Sequence, residues 1–140
     1  MTAHRDSPGW LHLKAVQRIW LDRLASAWVV VVLVLCWLPR RMLPEGETTS
    51  HIRIPHLDKA IHFSMFFLIS TLWLWGRPTR TRLLWVLIGG LALAVVSELG
   101  QDLPMIGREA SVLDGLADLM GLAVGAGLAC LIDRPGREPR

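Results

Sequence analysis

Apolar residues fall along the chain in four runs, separated by short stretches rich in charge, proline and glycine. The first covers Leu24–Leu38 (LASAWVVVVLVLCWL) and stops at Pro39; the second covers Ile61–Trp75, entered through Asp58 and Lys59. The third is Leu83–Leu99 and the fourth Val112–Ile132. A helix needs about 20 residues to cross the hydrocarbon core of a bilayer, and each run reaches that length by drawing its polar flanks into the interface. Helices close their backbone hydrogen bonds internally, which lipid demands of any spanning segment. The pattern therefore predicts an all-α membrane protein with four transmembrane helices in a small bundle.

Upstream of the first run, Trp10, Leu13, Val16, Trp20 and Leu24 recur at helical spacing, while His12, Lys14, Arg18 and Asp22 fall elsewhere. This predicts a short amphipathic helix lying on the membrane over residues 1–23, ahead of a four-helix domain over 24–132 and a tail over 133–140. The alternative, that the segment extends the first spanning helix, stays open. A cleaved signal peptide fits poorly, because Ala25-Ser26-Ala27 precedes the apolar run instead of following it.

Composition agrees with a lipid-facing surface. Of 140 residues, 52% are hydrophobic and 19% charged, against about 25% charged in soluble domains; mean hydropathy is +0.40. Disorder, a secreted disulfide scaffold and an ordinary cytosolic enzyme are disfavoured. The net charge of +3 does not indicate nucleic acid, since the basic residues lie between apolar runs and are not gathered on one face. Their placement instead sets orientation. Arg5, Lys14, Arg18, Arg23, Arg77, Arg80, Arg82, Arg134, Arg137 and Arg140 share one side of a four-span chain. The positive-inside rule makes that side cytoplasmic, with both termini inside and the loops Pro39–His56 and Gly100–Ala110 outside. Cys36 and Cys130 then fall in opposite leaflets, and no bridge between them is expected.

The polar residues in or beside the runs gather at the outer end. Asp58, Lys59 and His62 open the second helix, Glu98, Gln101 and Asp102 close the third, and Arg108, Ser111, Asp114 and Asp118 lead into the fourth. Asp58 and His62 share a helix face, as do Glu98 and Gln101, and Asp114 and Asp118. Ser111 with Asp114 resembles a capping box with Asp in place of the usual Glu. Small residues continue the same stripes: Gly90 and Ala94 below Glu98, and Gly121, Gly125 and Ala129 beyond Asp118. Such residues let membrane helices approach closely, which predicts packing of the third helix on the fourth with Glu98 and Asp118 turned inward. Asp118, well inside its run, needs a partner; Arg108 is the first candidate, then Lys59 and His62. No metal-ligand spacing is present, and the proximity of His56, Asp58 and His62 is read as chance. No cofactor is implied.

The stretches DKAIHF (Asp58–Phe63) and SELGQDLPMIGREASVLDGLADLMGLAVG (Ser97–Gly125) resemble the VanZ-like family. The matching positions are Asp58, Lys59, His62, Phe63, Glu98, Gln101, Pro104, Arg108, Ser111, Asp114, Gly121 and Gly125, and the resemblance extends over about Ile54–Gly127. Asp118 departs from it, standing where the family usually has Asn. The resemblance implies a small multi-helix protein of the bacterial inner membrane, in a family named after a protein linked to teicoplanin resistance.

Three functions follow as expectations. The first is an outward-facing polar site that engages an envelope lipid head group or a lipid-linked glycan precursor, with Arg108 and Lys59 holding an anion and Glu98, Gln101 and Asp114 fixing hydroxyls or amides. The second is a membrane-embedded hydrolase or transferase acting on a lipid-linked phosphate or ester, with His62 moving a proton. The third is a non-catalytic scaffold, whose polar layer only holds the helices together.

Overall fold

A computed structural model of the chain describes residues 8–39, 42, 56–76, 78–107 and 110–133, with side chains from residue 15 onward. It is a bundle of four helices: α1 (Pro8–Cys36), α2 (Leu57–Leu74), α3 (Arg80–Gln101) and α4 (Val112–Ile132). Each contains a segment long and apolar enough to cross a membrane. The observed α4 has the bounds that the apolar run predicts. α2 and α3 begin three or four residues earlier than their runs, because their polar first turns are helical too.

The amphipathic segment is helical and continues into the first spanning helix, the alternative left open above. α1 is one unbroken helix of 29 residues. Between Trp10 and Cys36 the chain has neither Gly nor Pro, and Leu24, Ala25 and Ala27 at the proposed junction are good helix formers, so nothing interrupts the hydrogen-bond ladder. At 1.5 Å per residue α1 is about 44 Å long, more than the roughly 30 Å hydrocarbon core.

Helix ends follow local chemistry. Thr79 caps α3, its side chain accepting a hydrogen bond from Arg82 N at 3.2 Å, and Ser111 caps α4. α2 ends before Gly76, whose φ of 69° is the left-handed geometry that glycine adopts without strain.

Each helix buries one stripe and turns the rest outward. On α2 the stripe is His62, Met65, Phe66, Ile69, Ser70 and Leu74; on α4 it is Asp114, Asp118, Gly121, Leu122, Gly125, Ala126 and Ala129. Val32 and Cys36 of α1 and Val86 and Ala94 of α3 complete the apolar core. Large apolar side chains such as Trp85, Leu99, Val112 and Leu131 lie exposed on the outside, as expected for a surface meant for lipid.

The expected packing of α3 on α4 is present, but the most extensive interface is α2 on α4, running in parallel. A Cβ on Gly121 would overlap the carbonyl oxygen of Phe63 and come within 3.0 Å of Phe67 N; one on Gly125 would overlap Ser70 Oγ. The small stripe of α4 therefore admits the backbone of α2. α3 meets α4 through a side chain instead, with Leu122 seated on Gly90. The helix missing a β-carbon takes whichever neighbour brings its backbone closest, and a stripe read from one sequence does not name that neighbour.

At the end of the bundle away from the polar cluster, Arg82 Nε donates to the carbonyl of Trp73 at 2.6 Å and its Nη2 pairs with Asp22. Arg82, expected only as a cytoplasmic anchor, thus ties α1, α2 and α3 together. Cys36 and Cys130 are not in a disulfide.

Candidate functional site

Antiparallel succession of the helices brings the end of α1, the start of α2, the end of α3 and the start of α4 to one end of the bundle. The polar residues of three of these meet there. His62 Nδ1 and Asp118 Oδ1 lie 3.0 Å apart, within hydrogen-bond distance, with both side chains almost wholly out of solvent (4% and 0% exposed). His62, named with Lys59 after Arg108 among the candidate partners of Asp118, is the one present among the described residues. The pairing follows from the α2–α4 interface, since His62 and Asp118 are just above the contact of Phe63 with Gly121.

One turn nearer the end, Lys59 Nζ bridges two carboxylates, 2.7 Å from Asp58 and 3.1 Å from Asp114. Asp58 is exposed and Asp114 buried. Lys59 is therefore engaged within the protein and is not a free anchor for an anion. Arg108 lies outside the described residues, and its expected pairing with Asp118 lies there too.

The capping box forms only by half. Ser111 Oγ accepts from Asp114 N at 3.4 Å, but Ser111 N donates to Glu98 Oε2 at 2.8 Å and not to Asp114. Glu98 of α3 thus supplies the carboxylate that normally comes from the third residue of the helix it caps. This frees Asp114 to meet Lys59. Gln101 is fully buried beside the end of α3, and Trp37 lies against Gly100, where any side chain would collide with the indole. No local pattern predicts that contact; a lone glycine next to the last residue of α3 gives no hint of it.

Several polar atoms of the cluster are left over. Glu98 Oε1, Gln101 Nε2 and Asp118 Oδ2 are buried and have no hydrogen-bond partner among the described residues. Buried polar groups are nearly always paired, so a set of them at one place calls for a cause. His62, Glu98 and Asp118 also each offer one donor atom of metal-ligating type, all within 4.8 Å of one another. No spacing along the chain indicates this group, because the three come from α2, α3 and α4.

Glu98 further forms the polar end of a groove of about 370 Å³ between α3 and α4. Its walls are Leu91, Val95, Leu99, Leu116 and Leu119, and Ser111 lies beside Glu98 at the same end.

Fold and cluster together define a four-helix bundle with membrane-spanning dimensions and a partly unsatisfied acidic site at one end. No protein-family model, curated protein or solved structure matches the chain.

Proposed function

We propose that the protein binds an envelope lipid or lipid-linked glycan precursor, with the apolar chain in the α3–α4 groove and the polar head at Glu98 and Ser111. The observation that carries this reading is the groove itself, apolar from Leu91 to Leu119 and ending at Glu98. The spare group at that end is an acceptor, Glu98 Oε1, and a spare donor, Gln101 Nε2, is buried at the same end of α3. Such a pair recognises hydroxyls and amides better than a bare phosphate, and Lys59 is already held by two carboxylates. A scaffold built only of mutually satisfied ion pairs would leave no such atoms. In this reading the site faces outward from a bacterial inner membrane, with both termini cytoplasmic, and the resemblance to the VanZ-like family extends it to an influence on glycopeptide action.

The test is lipid retention. Gly115 faces the groove with Glu98 Cγ, at 4.0 Å, as the nearest atom to an added Cβ, so Gly115→Leu fills the groove without disturbing a helix contact. Native mass spectrometry of the wild type should find a co-purifying lipid that Gly115→Leu loses and Glu98→Gln weakens. Identical lipid profiles in all three proteins defeat the proposal. The hydrolase or transferase alternative draws on the buried His62–Asp118 pair, and turnover of a lipid-linked phosphate or ester by the purified protein is what would favour it.

A further inference from the structure

We propose that His62, Glu98 and Asp118 bind one divalent transition-metal ion, with zinc(II) as the reference case. The donors are one imidazole nitrogen and two carboxylate oxygens, a set that zinc(II) and related first-row ions accept. Their ligating atoms lie within 4.8 Å of one another. Two ligands of a tetrahedral zinc, each about 2.1 Å from it, stand about 3.4 Å apart, so closing the group requires only side-chain adjustment. His62 and Asp118 are already at 3.0 Å.

A second observation is independent of that clustering. Asp118 is completely buried, yet its Oδ2 has no donor, and neither has the buried Glu98 Oε1. Carboxylate oxygens only accept, so what they lack is a proton donor or a cation. Among the described residues Lys59 is the cation at this end, and it is bound to Asp58 and Asp114. Two carboxylates and a neutral imidazole carry a charge of −2, which a divalent ion cancels in a setting where net charge is costly.

The surroundings also suit coordination. Metal-bound carboxylates are usually oriented by outer hydrogen bonds, and Glu98 Oε2 accepts from Ser111 N at 2.8 Å, leaving Oε1 available. Three protein ligands leave a further coordination position for water or a ligand atom. Of the three, Glu98 lines the α3–α4 groove. The inference concerns residues of the proposed lipid site but stands separately from it, since an ion can be held whether or not a lipid enters.

Protein purified in detergent through an affinity handle free of histidine, then stripped with chelator, is titrated with zinc(II), and with cobalt(II) for its visible absorption. The wild type should take up one equivalent and give cobalt(II) bands of a four- or five-coordinate site. Asp118→Asn and Glu98→Gln should weaken binding by about 100-fold or more, while Asp58→Asn, outside the group, stays within about twofold. Circular dichroism checks that each variant is folded; should Asp118→Asn fail, Glu98→Gln alone decides, because Glu98 is only half-buried. Absence of saturable binding at one equivalent, or equal affinity in folded Glu98→Gln and wild type, overturns the proposal. Lipid profiles of the same samples keep the two readings apart: metal binding without a lipid supports this one and counts against the other.

Discussion

Gly121→Ala adds a single carbon at the point where α4 meets the backbone of α2, and its cost can be worked from the structure. The new Cβ would overlap the Phe63 carbonyl oxygen and lie 2.9 Å from the Phe63 carbonyl carbon and 3.0 Å from Phe67 N. A side chain in that place could rotate away; the backbone of a packed helix cannot. The two helices must therefore separate, and overpacking of this kind costs about 1–3 kcal/mol. Separation also draws His62 from Asp118, which stand within one turn of the clash.

Gly127 is the internal control. It lies on the same helix with no atom within 4 Å of an added Cβ. Gly127→Ala should gain the helix preference of alanine, about 0.5–1 kcal/mol. That gain is common to both substitutions, so the two alanine variants should differ by the overpacking alone, about 1–3 kcal/mol. Gly90→Ala should fall between them, because it meets the methyl groups of Leu122, which can turn aside. Reversible unfolding in mixed detergent micelles, followed through the fluorescence of the seven tryptophans, measures all three. Gly121→Ala and Gly127→Ala agreeing within about 0.5 kcal/mol would refute the α2–α4 interface.

Two further outcomes test the site and its orientation. His62→Leu strands the buried Asp118 carboxylate and should cost about 3–5 kcal/mol in metal-free protein, whereas His62→Leu with Asp118→Leu should recover most of that loss, since apolar pairs often replace buried ion pairs without penalty; additive losses in the double-mutant cycle would mean that the two groups do not interact. Met105, 83% exposed in the loop between α3 and α4, gives a topology reporter. As Met105→Cys in a Cys36→Ser, Cys130→Ser background it should react with a membrane-impermeant maleimide added outside intact cells; labelling only after lysis would invert the proposed orientation.

The helices were legible because lipid imposes a simple rule on sequence: a long apolar run must be helical, and α4 obeys it from Val112 to Ile132. The stripe of small and polar residues on α4 was legible for the same reason, since a residue that lipid rejects has to face protein. What that stripe faces is a different kind of fact. Gly121 and Gly125 admit a backbone, but their periodicity is equally consistent with α2 or α3, and the choice of α2 rests on contacts with Phe63, Phe67 and Ser70 that no local pattern encodes. The partner of Asp118 then follows from that choice. Arg108 is nearer to Asp118 along the chain, but parallel packing of α2 on α4 places His62 at the same depth.

Glu98 illustrates how a local motif can be completed from elsewhere. Ser111 and Asp114 have the spacing of a capping box, and on sequence grounds Asp114 would be spent on the amide of Ser111. An Asp side chain is one carbon shorter than the Glu or Gln the motif favours, and the amide is taken by Glu98 from the end of α3. The exchange has two consequences for the site. It pins the end of α3 to the start of α4, which holds Glu98 beside the groove with one oxygen unspent. It also releases Asp114 to engage Lys59, removing the nearest described cation from competition for Asp118. Glu98→Gln can preserve the hydrogen bond to Ser111 N through its amide oxygen while removing the charge. That substitution therefore separates the two roles of Glu98: helix capping should survive it, and whatever the spare oxygen holds should not.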